Sequence, residues 1–157
     1  MNLLFVCLGN ICRSPAAEGI MRNLFEKNDL SDKFFVDSAG TYAGHCGELP
    51  DVRMRNAAQK RNLTLTHRSR PLEEADFDRF DMLIVMDDNN YAAVERLAPN
   101  REAKQKIYRM TDFCTNFDVD YVPDPYYSGH DGFEYVLDVL EDACEGLLNF
   151  VQAKKLI

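Results

Sequence analysis

The chain has little of what builds metal centres or disulfide frameworks. Its 157 residues include three histidines, His45, His67 and His130, far apart along the sequence, and five cysteines with no C-x-x-C pair among them. Neither a metal site nor a cofactor is expected from that supply, and in a reducing compartment each cysteine has to be judged singly. Long apolar runs are missing too. The N-terminus MNLLFVCLGN has no cationic start, and its apolar stretch ends at Gly9 and Asn10, so neither a signal peptide nor a membrane span is expected. The expectation is a cytoplasmic protein with no membrane partner. Basic residues are absent from one whole region: Asp112 to Glu145 holds ten acids and no Lys or Arg, whereas residues 1 to 111 hold sixteen of each. The net charge of −8 is therefore C-terminal in origin, and it argues against nucleic acid as a partner.

What is present is an ordinary globular composition, 46% hydrophobic and 28% charged, at a length suited to one domain over residues 1–157. Short apolar runs at Leu3–Cys7, Phe34–Ser38, Met82–Met86 and Lys106–Met110 read as strands. Between them lie helical patterns: one beginning at Ser14-Pro15, with a capping hydroxyl and a proline in the first helical position, then Val52–Lys60 and Asn90–Ala98. A long amphipathic helix over Phe133–Phe150 follows, its stripe running through Val136, Leu137, Leu140, Ala143, Cys144, Leu147 and Leu148. Strands alternating with helices imply right-handed crossovers and an α/β fold whose parallel sheet is covered on both faces. Ligands bind such sheets at the C-terminal ends of the strands, which directs attention to the segment after the first one.

That segment is Cys7-Leu8-Gly9-Asn10-Ile11-Cys12-Arg13-Ser14. A thiol ends a strand, an arginine follows six residues on, and a hydroxyl stands where a helix starts. Backbone N–H groups of a short loop feeding a helix N-terminus carry partial positive charge and can cradle a phosphate dianion, and Arg13 adds a planar fork matched to two of its oxygens. The same setting favours thiolate chemistry, which makes Cys7 the candidate nucleophile. Gly9 is not followed by the second glycine and lysine of a nucleotide-binding phosphate loop. Asn10 is a residue that tolerates the left-handed backbone a tight anion loop needs. Ser14 can both cap the helix and hydrogen-bond the Cys7 sulfur.

VCLGNICRSPAAEG, together with DSAGT at Asp37–Thr41, SRPL at Ser69–Leu72, VMD at Val85–Asp87 and DPYY at Asp124–Tyr127, closely resembles the low-molecular-weight protein tyrosine phosphatase family over nearly the whole chain. The resemblance implies a four-stranded sheet of order 2-1-3-4 and hydrolysis of phosphotyrosine, and of small aryl phosphates, through a phosphocysteine. In that reading Cys7 is the nucleophile, Arg13 the phosphate clamp and Asp124 the general acid. Leu8, Gly9, Asn10, Ile11, Cys12 and Ser14 form the phosphate loop. Ser38, His67 and Asp87 match positions that shape this loop or orient Arg13, and Tyr126 and Tyr127 match aromatic residues beside the substrate ring. Asp124 suits its role chemically, because the prolines on either side restrict its loop and a positioned acid eases departure of the phenolate. The resemblance also implies a reversible Cys7–Cys12 disulfide, and a phosphotyrosine protein, with a tyrosine kinase as one candidate, as partner of a monomeric enzyme.

The chain departs from the pattern in one respect. Many relatives carry a tryptophan in the loop after DSAGT, where this sequence has Gly44, with Tyr42 as the available replacement. Two related chemistries fit less well. Arginine phosphatases of this fold tend to carry threonine where Ile11 stands, and thiol-dependent arsenate reductases need a resolving cysteine pair, yet no cysteine lies between Cys46 and Cys114. A silent phosphotyrosine-binding module would not need Cys7 and Asp124 together. The basic run Arg53, Arg55, Lys60, Arg61, Arg68, Arg70 reads as a solvated face that could dock an acidic partner, and the C-terminal acids other than Asp124 as ordinary surface charge.

Overall fold

The computed structural model describes residues 1–155; the last two residues of the expected domain lie outside the described ones. Four parallel strands, β1 (Asn2–Cys7), β2 (Phe35–Gly40), β3 (Met82–Val85) and β4 (Ile107–Arg109), form one sheet in the order β2-β1-β3-β4. The strand–helix alternation and the sheet order are as expected. β1 is central because it pairs on both sides, Asn2–Cys7 against Phe35–Gly40 and Leu3–Val6 against Met82–Val85.

Side chains of β1 alternate across the sheet. Leu3, Phe5 and Cys7 face one core, shared with α1 (Arg13–Lys27), α2 (Val52–Gln59) and α6 (His130–Lys155). Leu4 and Val6 face a second core with Phe77, Phe80, Leu83, Val85 and Ile107, covered by α3 (Asp76–Arg79), α4 (Asp88–Leu97) and α5 (Arg101–Lys104). Burying one such side chain contributes roughly 1.5–3 kcal/mol. The period of two therefore places the Cys7 sulfur on the α1 side, at the strand's C-terminal end.

Three sequence expectations change. α1 begins at Arg13 with Cys12 in the capping position, so Ser14 is the second helical residue and makes no cap, and Pro15 is the third. Proline is still tolerated there, since first-turn N–H groups have no intrahelical partner. α3, α5 and a 3₁₀ turn over Met110–Phe113 were too short to show periodicity. α6 runs beyond both expected ends, and its stripe packs as read, with Phe133, Val136, Leu137, Leu140, Ala143, Cys144 and Leu147 almost fully buried.

Candidate active site

The loop between β1 and α1 carries its own geometry. Asn10 has φ of +57°, the left-handed conformation expected of it, and its side chain is fully buried with all four hydrogen-bonding positions filled. Its Nδ2 donates to Ser14 Oγ at 2.7 Å and Ser38 Oγ at 3.0 Å, while its Oδ1 accepts from the Arg70 backbone N–H at 3.0 Å and from His67 Nε2 at 2.8 Å. Ser38 in turn donates to Glu18 at 2.7 Å. Ser69 Oγ donates to the Gly9 carbonyl at 3.0 Å. Gly40 lets β2 approach, because a Cβ there would lie 2.8 Å from the Leu8 carbonyl oxygen.

This lattice leaves the inward side of the loop unspent. Among the described residues, no acceptor meets the backbone N–H groups of Gly9, Ile11, Cys12 or Arg13. Backbone N–H groups in buried positions are nearly always paired, so a row of unpaired ones around a cavity is a site for an anion. The cavity is about 240 Å³ and is lined by Cys7, Leu8, Gly9, Ile11, Cys12, Arg13, Tyr42, His45, Asp124, Tyr126 and Tyr127.

Cys7 lies 2% exposed at the cavity floor. Its sulfur is 3.0 Å from Ser14 Oγ and receives the Ser14 backbone N–H at 3.5 Å. Because Ser14 Oγ already accepts from Asn10, its one hydrogen is free to point at the sulfur. Three other thiols are held as thiols: burial first, then Asp51 and Cys7, pushes Cys12 up; burial and Glu141 push Cys144 up; and burial and Asp142 push Cys114 to about 11.

Arg13 is buried. Its Nη1 donates to Asp87 Oδ2 at 2.6 Å and to the Val122 carbonyl at 2.9 Å, and its Nη2 lies 3.8 Å from Asp124 Oδ2. Burial alone would lower the pKa of the guanidinium, but the neighbouring Cys7, Asp87 and Asp124 outweigh it and raise it. Asp87 is fixed by its second task, capping α4 through the Asn90 N–H at 2.8 Å. Asp124 stands exposed at the rim, its Oδ1 accepting the Tyr126 N–H at 3.1 Å in the turn that Pro125 makes.

The aromatic wall differs from a single stacked ring. Tyr126 and Tyr127 meet edge to face at 5.0 Å, His45 lies between Tyr42 and Tyr126 at 6.1 Å from each, and Tyr127 is 94% exposed. The Tyr42 ring lies over Gly44: a Cβ at Gly44 would come within 2.2 Å of it. Glycine at that position is what gives the ring its place.

The candidate site residues named from the sequence, Cys7 to Ser14, Ser38, Tyr42, His67, Asp87, Asp124, Tyr126 and Tyr127, lie on the cavity or one layer behind it. Sequence reasoning gave no site role to Glu18 or His45, named Asp37 only within a motif, and took Arg70 as part of a solvated basic face, whereas Arg70 is paired with Asp37 and the buried Asp76 at 3.1 Å each. Glu18 is 3% exposed, and its Oε1 faces His67 Nδ1 at 3.2 Å while Asp37 Oδ1 lies 3.5 Å from the same nitrogen. Glu18 shares the α1 face that holds Ser14 and Ala17, but its partners lie far along the chain. Glu18, Asp37 and His67 bring potential metal-ligating atoms within 4.8 Å of one another, a cluster the spacing of the histidines did not suggest. These atoms already have partners: Glu18 takes Ser38 and Arg22, Asp37 takes Arg70, and His67 takes Asn10. The cluster thus reads as a brace behind the loop.

The family model described as low molecular weight phosphotyrosine protein phosphatase matches residues 2–156. The chain belongs to that family. It is 45% identical over 148 residues to a putative low molecular weight protein-tyrosine-phosphatase of Synechocystis, covering 94% of each chain. It is 37% identical over 156 residues to the low molecular weight protein-tyrosine-phosphatase YfkJ of Bacillus subtilis, covering 99% of this chain and 98% of the relative. Among solved structures, a protein tyrosine phosphatase from Entamoeba histolytica, crystallised with Hepes in the active site, superposes with a TM-score of 0.96 at 46% identity, over 99% of both chains. In a low molecular weight phosphatase, unpaired loop N–H groups, a buried arginine and a thiol at one cavity floor together suit a phosphoryl group.

Proposed function

We propose that this phosphatase hydrolyses phosphotyrosine in proteins, and small aryl phosphates, with Cys7, Arg13 and Asp124 performing the chemistry. The observation that carries the reading is the convergence of a thiol, a buried arginine and unpaired N–H groups on one cavity, with Asp124 the one carboxyl group at its rim among the described residues. Phosphate oxygens would take the loop N–H groups and the free edge of Arg13. The Cys7 thiolate then attacks phosphorus from below, the phosphorus–oxygen bond to the tyrosine breaks, and protonated Asp124 gives its proton to the departing phenolate. Water next attacks the phosphocysteine, Asp124 takes its proton, and the thiolate leaves with the Ser14 hydroxyl hydrogen bonding to it. Inorganic phosphate departs.

Asn10, Ser38, His67 and Glu18 hold the loop rather than touch substrate, and Asp87 holds Arg13. Leu8, Ile11, Tyr42, Tyr126 and Tyr127 frame the ring. Ile11 in place of threonine and the aromatic wall favour an aryl phosphate over a phosphoarginine. The test is kcat/KM on a phosphotyrosine peptide: Cys7→Ser should abolish turnover and Asp124→Asn should lower it by about 10² to 10⁴. Turnover surviving in Cys7→Ser would overturn the assignment.

The rest of the reading extends from the same site. The whole chain, residues 1–157, is taken as one domain, cytoplasmic and monomeric, with a phosphotyrosine protein, a tyrosine kinase among the candidates, as its partner. No helix of the described residues is long and apolar enough to cross a membrane. Large exposed apolar side chains away from the cavity are spread over the fold, Phe35, Val52, Leu97 and Tyr135 on four different elements and Tyr121 on the loop before α6, which supports the monomer. Peroxide would convert the Cys7 thiolate to a sulfenic acid, and condensation with the Cys12 thiol would release water and close a disulfide.

A further inference from the structure

The basic run of the sequence sorts into two kinds of arginine. Arg53 forms a bidentate pair with Asp51, Arg61 meets Glu134, Asp138 and Glu141, and Arg70 meets Asp37 and Asp76. Arg55 and Arg68 are different. Arg55 Nε donates to the Pro50 carbonyl at 2.9 Å and Arg68 Nη1 to the Gly47 carbonyl at 3.0 Å, and neither meets a carboxylate among the described residues. Each guanidinium has five N–H donors, so most of both forks remain free.

Both arginines line one groove of about 400 Å³. That groove shares Ile11, His45 and Tyr126 with the cavity above Cys7, so the two are continuous. Of its two acids, Asp51 is paired with Arg53 at 2.8 Å, the Arg53 hydrogen bonds outweighing burial and holding the Asp51 carboxyl below its usual range, while Glu48 shares a hydrogen bond with His45 at 2.9 Å. Two cationic forks against the single carboxylate of Glu48 leave positive charge in excess along the groove, in a protein whose net charge is −8.

We propose that this groove binds acidic residues next to the phosphotyrosine, so that the preferred substrate is a phosphotyrosine flanked by glutamate or aspartate. The proposal rests on the phosphatase reading and names its substrate class. A phosphotyrosine seated over Cys7 leaves its neighbours at the mouth, where Ile11 and Tyr126 form the shared wall and the two forks stand beyond it. Guanidinium groups suit carboxylates because two N–H donors match two oxygens. Partly exposed pairs are individually weak, so the expected preference is modest, about fivefold for two arginines together.

The test compares two phosphopeptides that differ only in having Glu or Gln on both sides of the phosphotyrosine, with p-nitrophenyl phosphate as a substrate that has no flanks. The wild-type enzyme should show a kcat/KM ratio of about five in favour of the Glu peptide, shrinking toward one as salt is raised. In the Arg55→Gln, Arg68→Gln double variant the ratio should fall to about one, and in the double lysine variant part of it should return. The ratio is taken within each enzyme, so any general loss of activity cancels. A ratio of one in the wild type, or a salt-insensitive ratio kept by the double variant, overturns the groove while hydrolysis of p-nitrophenyl phosphate leaves the phosphatase reading standing. Failure to hydrolyse any of the three overturns both.

Discussion

Asn10 carries more of the loop than any other side chain. It is buried, it bonds four groups from three segments, and its φ of +57° is one that alanine adopts only under strain. Asn10→Ala should cost about 2–4 kcal/mol in denaturant unfolding, combining lost buried hydrogen bonds with backbone strain. Asn10→Gly keeps the backbone permitted and loses only the bonds, so it should be the milder of the two while both lower kcat. An alanine variant with wild-type stability would show that the four bonds do not hold the loop. At the rim, Tyr42 covers the space that Gly44 leaves open. Tyr42→Ala should raise KM for aryl phosphates more than it lowers kcat, since a ring contact of about 0.5–1.5 kcal/mol is lost on binding. An unchanged KM would remove Tyr42 from the aromatic wall.

Among the elements, α6 shows how an expectation about charge changes once the fold is known. In the sequence, the acids of the C-terminal third looked like surface charge. Asp142 is instead 8% exposed and accepts from the Thr115, Asn116 and Phe117 backbone N–H groups and from the Thr115 hydroxyl. One turn later, Gly146 packs so closely that a Cβ would lie 1.8 Å from the Phe113 carbonyl oxygen. These two residues on one helix face clamp the segment that leads toward Asp124, whose other anchor is Val122 between Met86 and Arg13. Glu134, Asp138 and Glu141 repeat along α6 at helical spacing and meet Arg61.

Burial acts to raise the Asp142 pKa, but the three N–H groups and the hydroxyl outweigh it and hold the carboxyl below its usual range. A group depressed in this way stabilises the fold above its unfolded pKa of about 3.9, and that contribution is lost as pH falls through the folded value. Asp142→Asn should therefore destabilise by about 2 kcal/mol near neutral pH, with the gap to wild type closing below about pH 4. A gap independent of pH would mean that the carboxylate charge is not what holds the segment.

What the sequence disclosed follows the range over which its signals act. Strands and the α6 stripe were legible because their apolar periods are local, and Cys7 to Arg13 because the whole motif lies within one loop. The short helices α3 and α5 have too few residues for a period. Glu18 and Asp142 were invisible because their partners are far along the chain, and an acid on an amphipathic helix is ordinarily on the wet side. The start of α1 was misplaced for a related reason: a Ser-Pro pair is a sound helix start, but here the serine hydroxyl is committed to Asn10 and Cys7.

For the molecule as a whole, acidity and anion recognition are reconciled by position. The proposed phosphate site would draw on loop N–H groups and one buried arginine and needs no net positive charge, while the surplus acids lie mainly on α6 and the loop before it. Thiol chemistry is similarly restricted. Burial raises the pKa of Cys12, Cys144 and, to about 11, Cys114, which leaves Cys7 at the cavity floor and the exposed Cys46 as the thiols open to peroxide, and of these two only Cys7 lines the cavity. After a peroxide pulse and dithiothreitol, the wild type should recover most of its starting activity, and Cys12→Ser a smaller fraction of its own, because without Cys12 the sulfenic acid is open to further oxidation. Equal fractions would argue against the disulfide.

The central claim is that the Cys7 sulfur takes the phosphoryl group. Mixing the enzyme with p-nitrophenyl phosphate and quenching in acid should trap one phosphate on the peptide that contains Cys7, identified by mass spectrometry, and Cys7→Ser should trap none and turn over nothing. Phosphate found on another residue, or turnover without Cys7, would contradict it.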